Sequence, residues 1–140
     1  MILRAPGIYA ADRLPLERLR VGTPVLRTED DVYTNHIHAE DLAAIAVRAL
    51  EDDAPGGTYN ASDDSEIRMG DWLDLVAERA GLPQPPRIAR SEAAGRIAPA
   101  LLSFMGESRR LANARMKDEL GVRLRYRTVF DGVPRQGEAA

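Results

Sequence analysis

The segment Ile2-Leu3-Arg4-Ala5-Pro6-Gly7-Ile8-Tyr9 constrains the fold of this chain more than any other. An apolar run that breaks at Pro-Gly is the pattern of a strand inside a parallel sheet, covered on both faces and running into a turn. Such a strand needs neighbours on either side, yet only Met1 precedes it here. The expectation is that the chain forms the second half of a larger α/β unit.

The rest of the chain reads in order. Residues 14–20 suit a short helix. Pro24-Val25-Leu26-Arg27 and residues 32–38 read as two strands around Glu29-Asp30-Asp31, an expected hairpin with an acidic turn. Leu42, Ile45, Ala46, Ala49 and Leu50 then make one apolar helical stripe. Glu40 and Asp41 stand at its start, where carboxylates suit the helix dipole and Asp41 is expected to cap backbone amides. Residues 58–61 follow as a short strand and residues 62–65 as a solvated loop, where Asp63 and Asp64 suggest paired acids but read rather as closing a turn. Met69, Trp72, Leu73, Val76, Ala77 and Ala80 share a second helical face; Gly81 closes it, and Pro83, Pro85 and Pro86 prevent continuation. Ser91 suits the cap of a third helix with Ile97, Leu101, Leu102 and Met105 inward and a kink or break at Pro99. Asn113 suits the cap of a last short helix ending at Leu120-Gly121. Residues 135–140 read as a flexible polar tail.

Composition excludes several functions. A net charge of −3 shows no basic excess, so nucleic acid is not an expected partner. The longest apolar run, residues 42–47, is too short to span a bilayer, and no signal-peptide pattern opens the chain. No membrane association is expected, and the cytoplasm is the expected location. With no cysteine, disulfides, thiol catalysis and cysteine-ligated zinc are excluded.

Chemistry-bearing patterns are few. No glycine cluster stands between a strand and a helix, since Gly56-Gly57 precedes a strand, and no Gly-Lys-Ser/Thr phosphate loop occurs. His36 and His38 alternate along a strand and so share a face. They invite a zinc site completed by a carboxylate, or general acid–base work, against the plainer reading of hydrogen-bonded histidines beside a helix start. Neither a nucleophile nor an orienting partner is identifiable, so no catalytic and no metal-ligating residue is assigned. Arg109-Arg110 reads as a solvated helix entry rather than an anion site.

Three segments together resemble one family. Residues 2–9 are similar to the strand and cofactor-side turn that follow the catalytic helix of extended short-chain dehydrogenases. His36-Ile37-His38-Ala39-Glu40-Asp41 is similar to that family's Phe-Ile-His-Val-Asp-Asp segment, and residues 113–121 with Tyr126 to its late Leu-Gly segment. The branch resembled is the NAD(P)-dependent epimerase/dehydratase group, in its less typical members. The resemblance implies an α/β chain holding the last strands of a Rossmann-type parallel sheet plus a mainly helical C-terminal substrate-binding region. Residues 1–134 would be the substrate-side part, with the N-terminal cofactor-binding domain absent. It implies NAD or NADP in the complete enzyme, with Pro6, Gly7 and Ile8 near the nicotinamide and Arg13, Asn35 and His36 facing a small-molecule substrate.

That family transfers protons through Tyr-x-x-x-Lys. Four positions after Tyr9, Tyr33, Tyr59 and Tyr126 stand Arg13, Ile37, Asp63 and Phe130, so the pair is missing. The chain alone is therefore expected neither to hold NAD(P) tightly nor to catalyse. Where nucleotide-sugar members carry Arg-Asp-Phe this chain has Thr34-Asn35-His36, without the arginine that grips a diphosphate. Two rival readings are a stand-alone binding module and a histidine-based metal hydrolase. The expected macromolecular partner is a separate N-terminal half or a second copy of the chain, covering the exposed Ile2-Leu3 strand.

Overall fold

The computed structural model describes residues 1–137. In chain order the elements are β1 (Ile2–Arg4), β2 (Gly7–Tyr9), α1 (Leu16–Arg20), β3 (Val25–Leu26), β4 (Tyr33–Thr34), β5 (His36–His38), α2 (Ala39–Ala49), β6 (Thr58–Asn60), β7 (Ile67–Arg68), α3 (Met69–Ala80), β8 (Arg87–Ile88), α4 (Pro99–Phe104), α5 (Ala114–Leu120) and α6 (Val129–Gly132). Three strand pairs are parallel, β1 with β6, β2 with β5 and β3 with β8; β4 with β7 is antiparallel. Among the described residues no helix is long and apolar enough to cross a membrane. The chain divides into two units.

The first unit comprises Met1–Arg13, Asn35–Ser65 and Arg110–Gly132. Here the opening segment is two strands, not one strand and a turn. Leu3 aligns with Tyr59 and Ile8 with Ile37. Pro6 has no N–H to donate to a ladder, and across it the chain changes partner from β6 to β5, with the Gly7 amide donating to Asn35 O at 3.1 Å. Ile2 is 61% exposed, so the described residues do not cover β1 on both faces. Ile37, Ile45, Ala61 and Met116 form a fully buried core, with Leu3, Ile8, Leu42, Val122 and Leu124 against it. The α2 stripe is present except at Leu50, which projects into solvent beyond the last helical residue. Asn113 occupies the N-cap position of α5 without capping it. Its amide reaches Ser62 O and Asp64 Oδ1 instead. The four-residue α6 gave no periodic signal in the sequence.

The second unit comprises Leu14–Thr34, Glu66–Arg109 and the residues from Val133. The expected hairpin is not formed: β3 pairs with β8 and β4 with β7. The acidic residues between the two segments are engaged elsewhere. Asp30 Oδ2 accepts from Arg27 Nε and the Arg90 amide, and Asp31 Oδ2 accepts from the Gly70 amide. That last bond caps α3 from a distant segment, because Arg68 at its N-cap offers no acceptor. Helix α3 buries Met69, Trp72, Leu73, Val76 and Ala77 as its spacing predicts, and Gly81 ends it in the left-handed region at φ 70°. The third helix starts at Pro99 rather than kinking there, since a first-turn proline loses no helical bond. In the tail, the Gln136 amide donates to Arg79 O at 2.7 Å; residues 138–140 lie outside the described residues.

Candidate functional site

In parallel sheets ligands are met at the carboxyl ends of strands. In the first unit, β2, β5 and the segments that follow β5 and β6 bring in six buried residues with polar groups: Tyr9 at the carboxyl end of β2, His36 and His38 opening and closing β5, Asp41 in the first turn of α2, and Ser62 and Asp63 after β6. Tyr9 closes β2 in register with His38. Its ring stands edge-on to His36 at 6.3 Å and to His38 at 5.1 Å. Its hydroxyl donates to Thr128 O at 3.4 Å, and burial, with Asp63 nearby, pushes the phenol well above its ordinary range.

His38 caps α2. Its Nδ1 accepts the Glu40 amide at 3.1 Å, which fixes the proton on Nε2, and its ring stacks on Tyr126 at 3.9 Å. With that amide taken, Asp41 does not cap the helix as expected. Its two oxygens accept the amides of Arg125 and Tyr126 at 2.9 Å each, clamping the segment after α5 onto the helix.

Asp63 overturns the solvated-loop expectation. It is 4% exposed; its amide donates to His36 O at 2.8 Å and its Oδ1 accepts from the Ser65 amide. Its Oδ2 is buried with no hydrogen-bond partner among the described residues. Burial pushes this carboxyl up to about 7 and the His36 imidazole down to about 4. At neutral pH the cluster thus pairs a neutral imidazole and an intact phenol with a carboxyl poised between its two forms. Proton exchange and hydrogen bonding are within its reach. Among the described residues no three histidine or acidic side chains are grouped as metal ligands.

Of the residues singled out from the sequence, Gly7 and His36 are register partners, and Pro6, Ile8 and Asn35 flank them. A Cβ on Gly7 would stand 3.1 Å from Asn35 O and 3.3 Å from His36 Nδ1, close enough that a side chain there would have to push the entry of β5 aside. Asn35 Oδ1 is engaged by the Leu111 amide. Arg13 is exposed, in a turn closed by its amide on Ala10 O. Gly7 itself is exposed, leaving a bare backbone edge. No glycine-rich turn that could cradle a pyrophosphate is present in the sequence. Sequence reasoning missed Tyr9 and Asp63 as site members. The available signal for Tyr9 was its place at the end of a strand beside a His-x-His strand; for Asp63 it was the adjacent acidic pair with Asp64, set aside in favour of a turn.

No family model matches the sequence. The chain is 29% identical to a 3-diazoavenalumate denitrifying reductase of a Streptomyces species, over 96% of this chain and 44% of the relative. It is 32% identical, at a TM-score of 0.78, to the solved structure of a conserved protein of unknown function from Silicibacter pomeroyi, covering 93% of this chain and 45% of that one. The human epimerase family protein SDR39U1, solved with NADPH, shares the fold at a TM-score of 0.74 and 15% identity, again over 45% of its length. The chain thus spans under half the length of the relatives it matches.

Proposed function

We propose, from the fold this chain shares with the C-terminal part of NAD(P)-dependent epimerase/dehydratase proteins, that it forms the substrate-side portion of an oxidoreductase of that kind. The observation that carries the reading is the β2–β5 pair: just past the carboxyl end of β1, the backbone of Pro6, Gly7 and Ile8 lies against Asn35 and His36 where β2 and β5 begin. A nicotinamide cofactor, NAD or NADP, supplies the hydride acceptor or donor when bound. Residues 6–8 border it, while Asn35 and neutral His36 face the substrate and Arg13 contributes a cation at the rim. His38 and Asp41 hold the strand end and helix start rigid. Without a glycine-rich turn or Tyr-x-x-x-Lys, these residues alone neither retain the cofactor tightly nor move the substrate proton. The lack of an arginine at Thr34 disfavours a nucleotide-sugar substrate. Exposed Ile2 on β1 supports a covering strand from an N-terminal half or a second copy.

A chimera tests this. The N-terminal part of the Silicibacter pomeroyi protein, joined ahead of Ile2, is expected to bind NADPH or NADH with amide-exchange protection at residues 6–9 and 35–36. The isolated chain is expected to show neither binding nor turnover. A folded chimera that binds the dinucleotide without protecting those residues overturns the proposal.

A further inference from the structure

A second concave site lies in the same unit, bordering the first at Asp64. Gly121 ends α5 in the left-handed region at φ 69°, and the Val122 amide turns back to Met116 O. The following segment alternates: Val122, Leu124 and Tyr126 face inward, and Arg123, Arg125 and Arg127 face out. Asp41 pins the amides of Arg125 and Tyr126, and Arg127 O accepts the Asp64 amide at 2.8 Å. These bonds build a cleft of about 600 Å³ with a fixed backbone, lined by Asp64, Lys117, Arg123 and Arg127 over a floor of Gly121, Val122 and Leu124.

The charges in this cleft do not balance. Lys117 Nζ sits 2.6 Å from Asp64 Oδ1, and Arg127 Nε is 3.9 Å from Asp64 Oδ2. Arg123 has no ion-pair partner among the described residues. Three cations against one carboxylate leave a surplus of two positive charges at a preorganised concavity, and a cleft of this volume accepts a small organic molecule. We propose that it binds a small molecule bearing a phosphate dianion. The guanidinium groups of Arg123 and Arg127 donate to the phosphate oxygens, the organic part rests on Val122 and Leu124, and Asp64 is the internal anion against which the ligand competes for Lys117.

Two-dimensional NMR titration of the full chain with phenyl phosphate and with inorganic phosphate, ionic strength held constant with NaCl, tests this. Saturable shifts at Asp64, Gly121, Val122 and Leu124 are expected, tighter for phenyl phosphate. Arg123→Ala, at an exposed side chain, should weaken binding about tenfold. Asp64→Asn should tighten it, because removing a competing carboxylate favours the incoming anion. Shifts scattered over the surface, or an affinity indifferent to Arg123→Ala and lowered by Asp64→Asn, overturn the proposal.

Discussion

The main-chain amide of Asp63 donates to the carbonyl of His36 at 2.8 Å, joining two buried titratable residues whose proton affinities burial moves in opposite directions. Asp63 holds its proton up to about pH 7 when folded, so its stabilising share is complete below its ordinary value near 3.8 and is lost as pH rises through about 7. His36 stays neutral down to about pH 4 when folded. Its share is present above its ordinary value of 6.5 and is lost as pH falls toward 4. Between those limits the slopes oppose each other, each at most about 1.4 kcal/mol per pH unit. Asp64 and Asp41 also face this junction and add a smaller repulsion on the ionised carboxylate. Amide exchange at Ile37 and Ile45 should therefore change little from this pair between pH 4 and 6.5. Asp63→Asn should make the unit more stable as pH rises, and His36→Asn less stable. Slopes of the same sign in the two variants would refute the pairing.

Gly132 is demanded by Tyr9. A Cβ at position 132 would overlap the Tyr9 hydroxyl and press on its ring. Gly132→Ala should thus destabilise the first unit by about 2–3 kcal/mol, an overpacking cost, although alanine is the better helix former. Tyr9→Phe removes the overlapping oxygen and the bond to Thr128 O. Alone it should cost about 1 kcal/mol; combined with Gly132→Ala it should recover part of the loss. Denaturation of the four proteins in a double-mutant cycle measures the coupling, and strictly additive losses would show that the hydroxyl is not the obstruction.

What the sequence made legible follows from the range of the interactions involved. Helices α2 and α3 were readable because their stripes are local, and Gly81 marked its own C-cap. The hairpin was misread because Asp30 and Asp31 look like turn residues until Arg90 and Gly70, sixty and thirty-nine positions away, claim their carboxylates. Asp63 looked solvated for the same reason: its burial is made by His36 and by the segment before α6. His36 was visible through its spacing from His38, but the exchange of roles by which a histidine caps α2 and Asp41 grips residues 125 and 126 depends on where the chain returns.

The Asp41 clamp sets the position of Tyr126 and of the arginine-bearing segment around it. Asp41→Ala leaves two main-chain amides without their carboxylate, a loss of about 2–4 kcal/mol. Asp41→Asn retains one acceptor and should lose about half as much. Because Tyr126 stacks on His38 through this clamp, the tyrosine ring resonances should lose their stacking shift in Asp41→Ala, whereas His38→Ala should cost about 1 kcal/mol through the α2 cap while leaving the amides of residues 125 and 126 protected. Protection lost equally in both variants would mean that the stack, rather than the carboxylate, holds the segment.

In the second unit Gly70 and Asp31 offer a reversal of sign. Glycine within a helix ordinarily costs up to about 1 kcal/mol relative to alanine, so Gly70→Ala should stabilise α3. Yet a Cβ there would stand 2.9 Å from Asp31 Oδ2 and 3.0 Å from Arg87 Nη2, pushing away the carboxylate that accepts the Gly70 amide at 2.8 Å. Gly70→Ala should therefore destabilise the unit. Asp31→Ala should destabilise it by about 1–2 kcal/mol through the lost cap. Once the carboxylate is gone, the obstruction that remains is the flexible end of Arg87, held by Asp74 at 2.6 Å and able to shift. In the Asp31→Ala background, Gly70→Ala should become neutral or stabilising. Trp72, the single tryptophan and a buried residue of α3, reports the unfolding of all four proteins by fluorescence. A Gly70→Ala effect that keeps the same sign and size with and without Asp31 would place the constraint on the helix backbone instead of on the capping carboxylate.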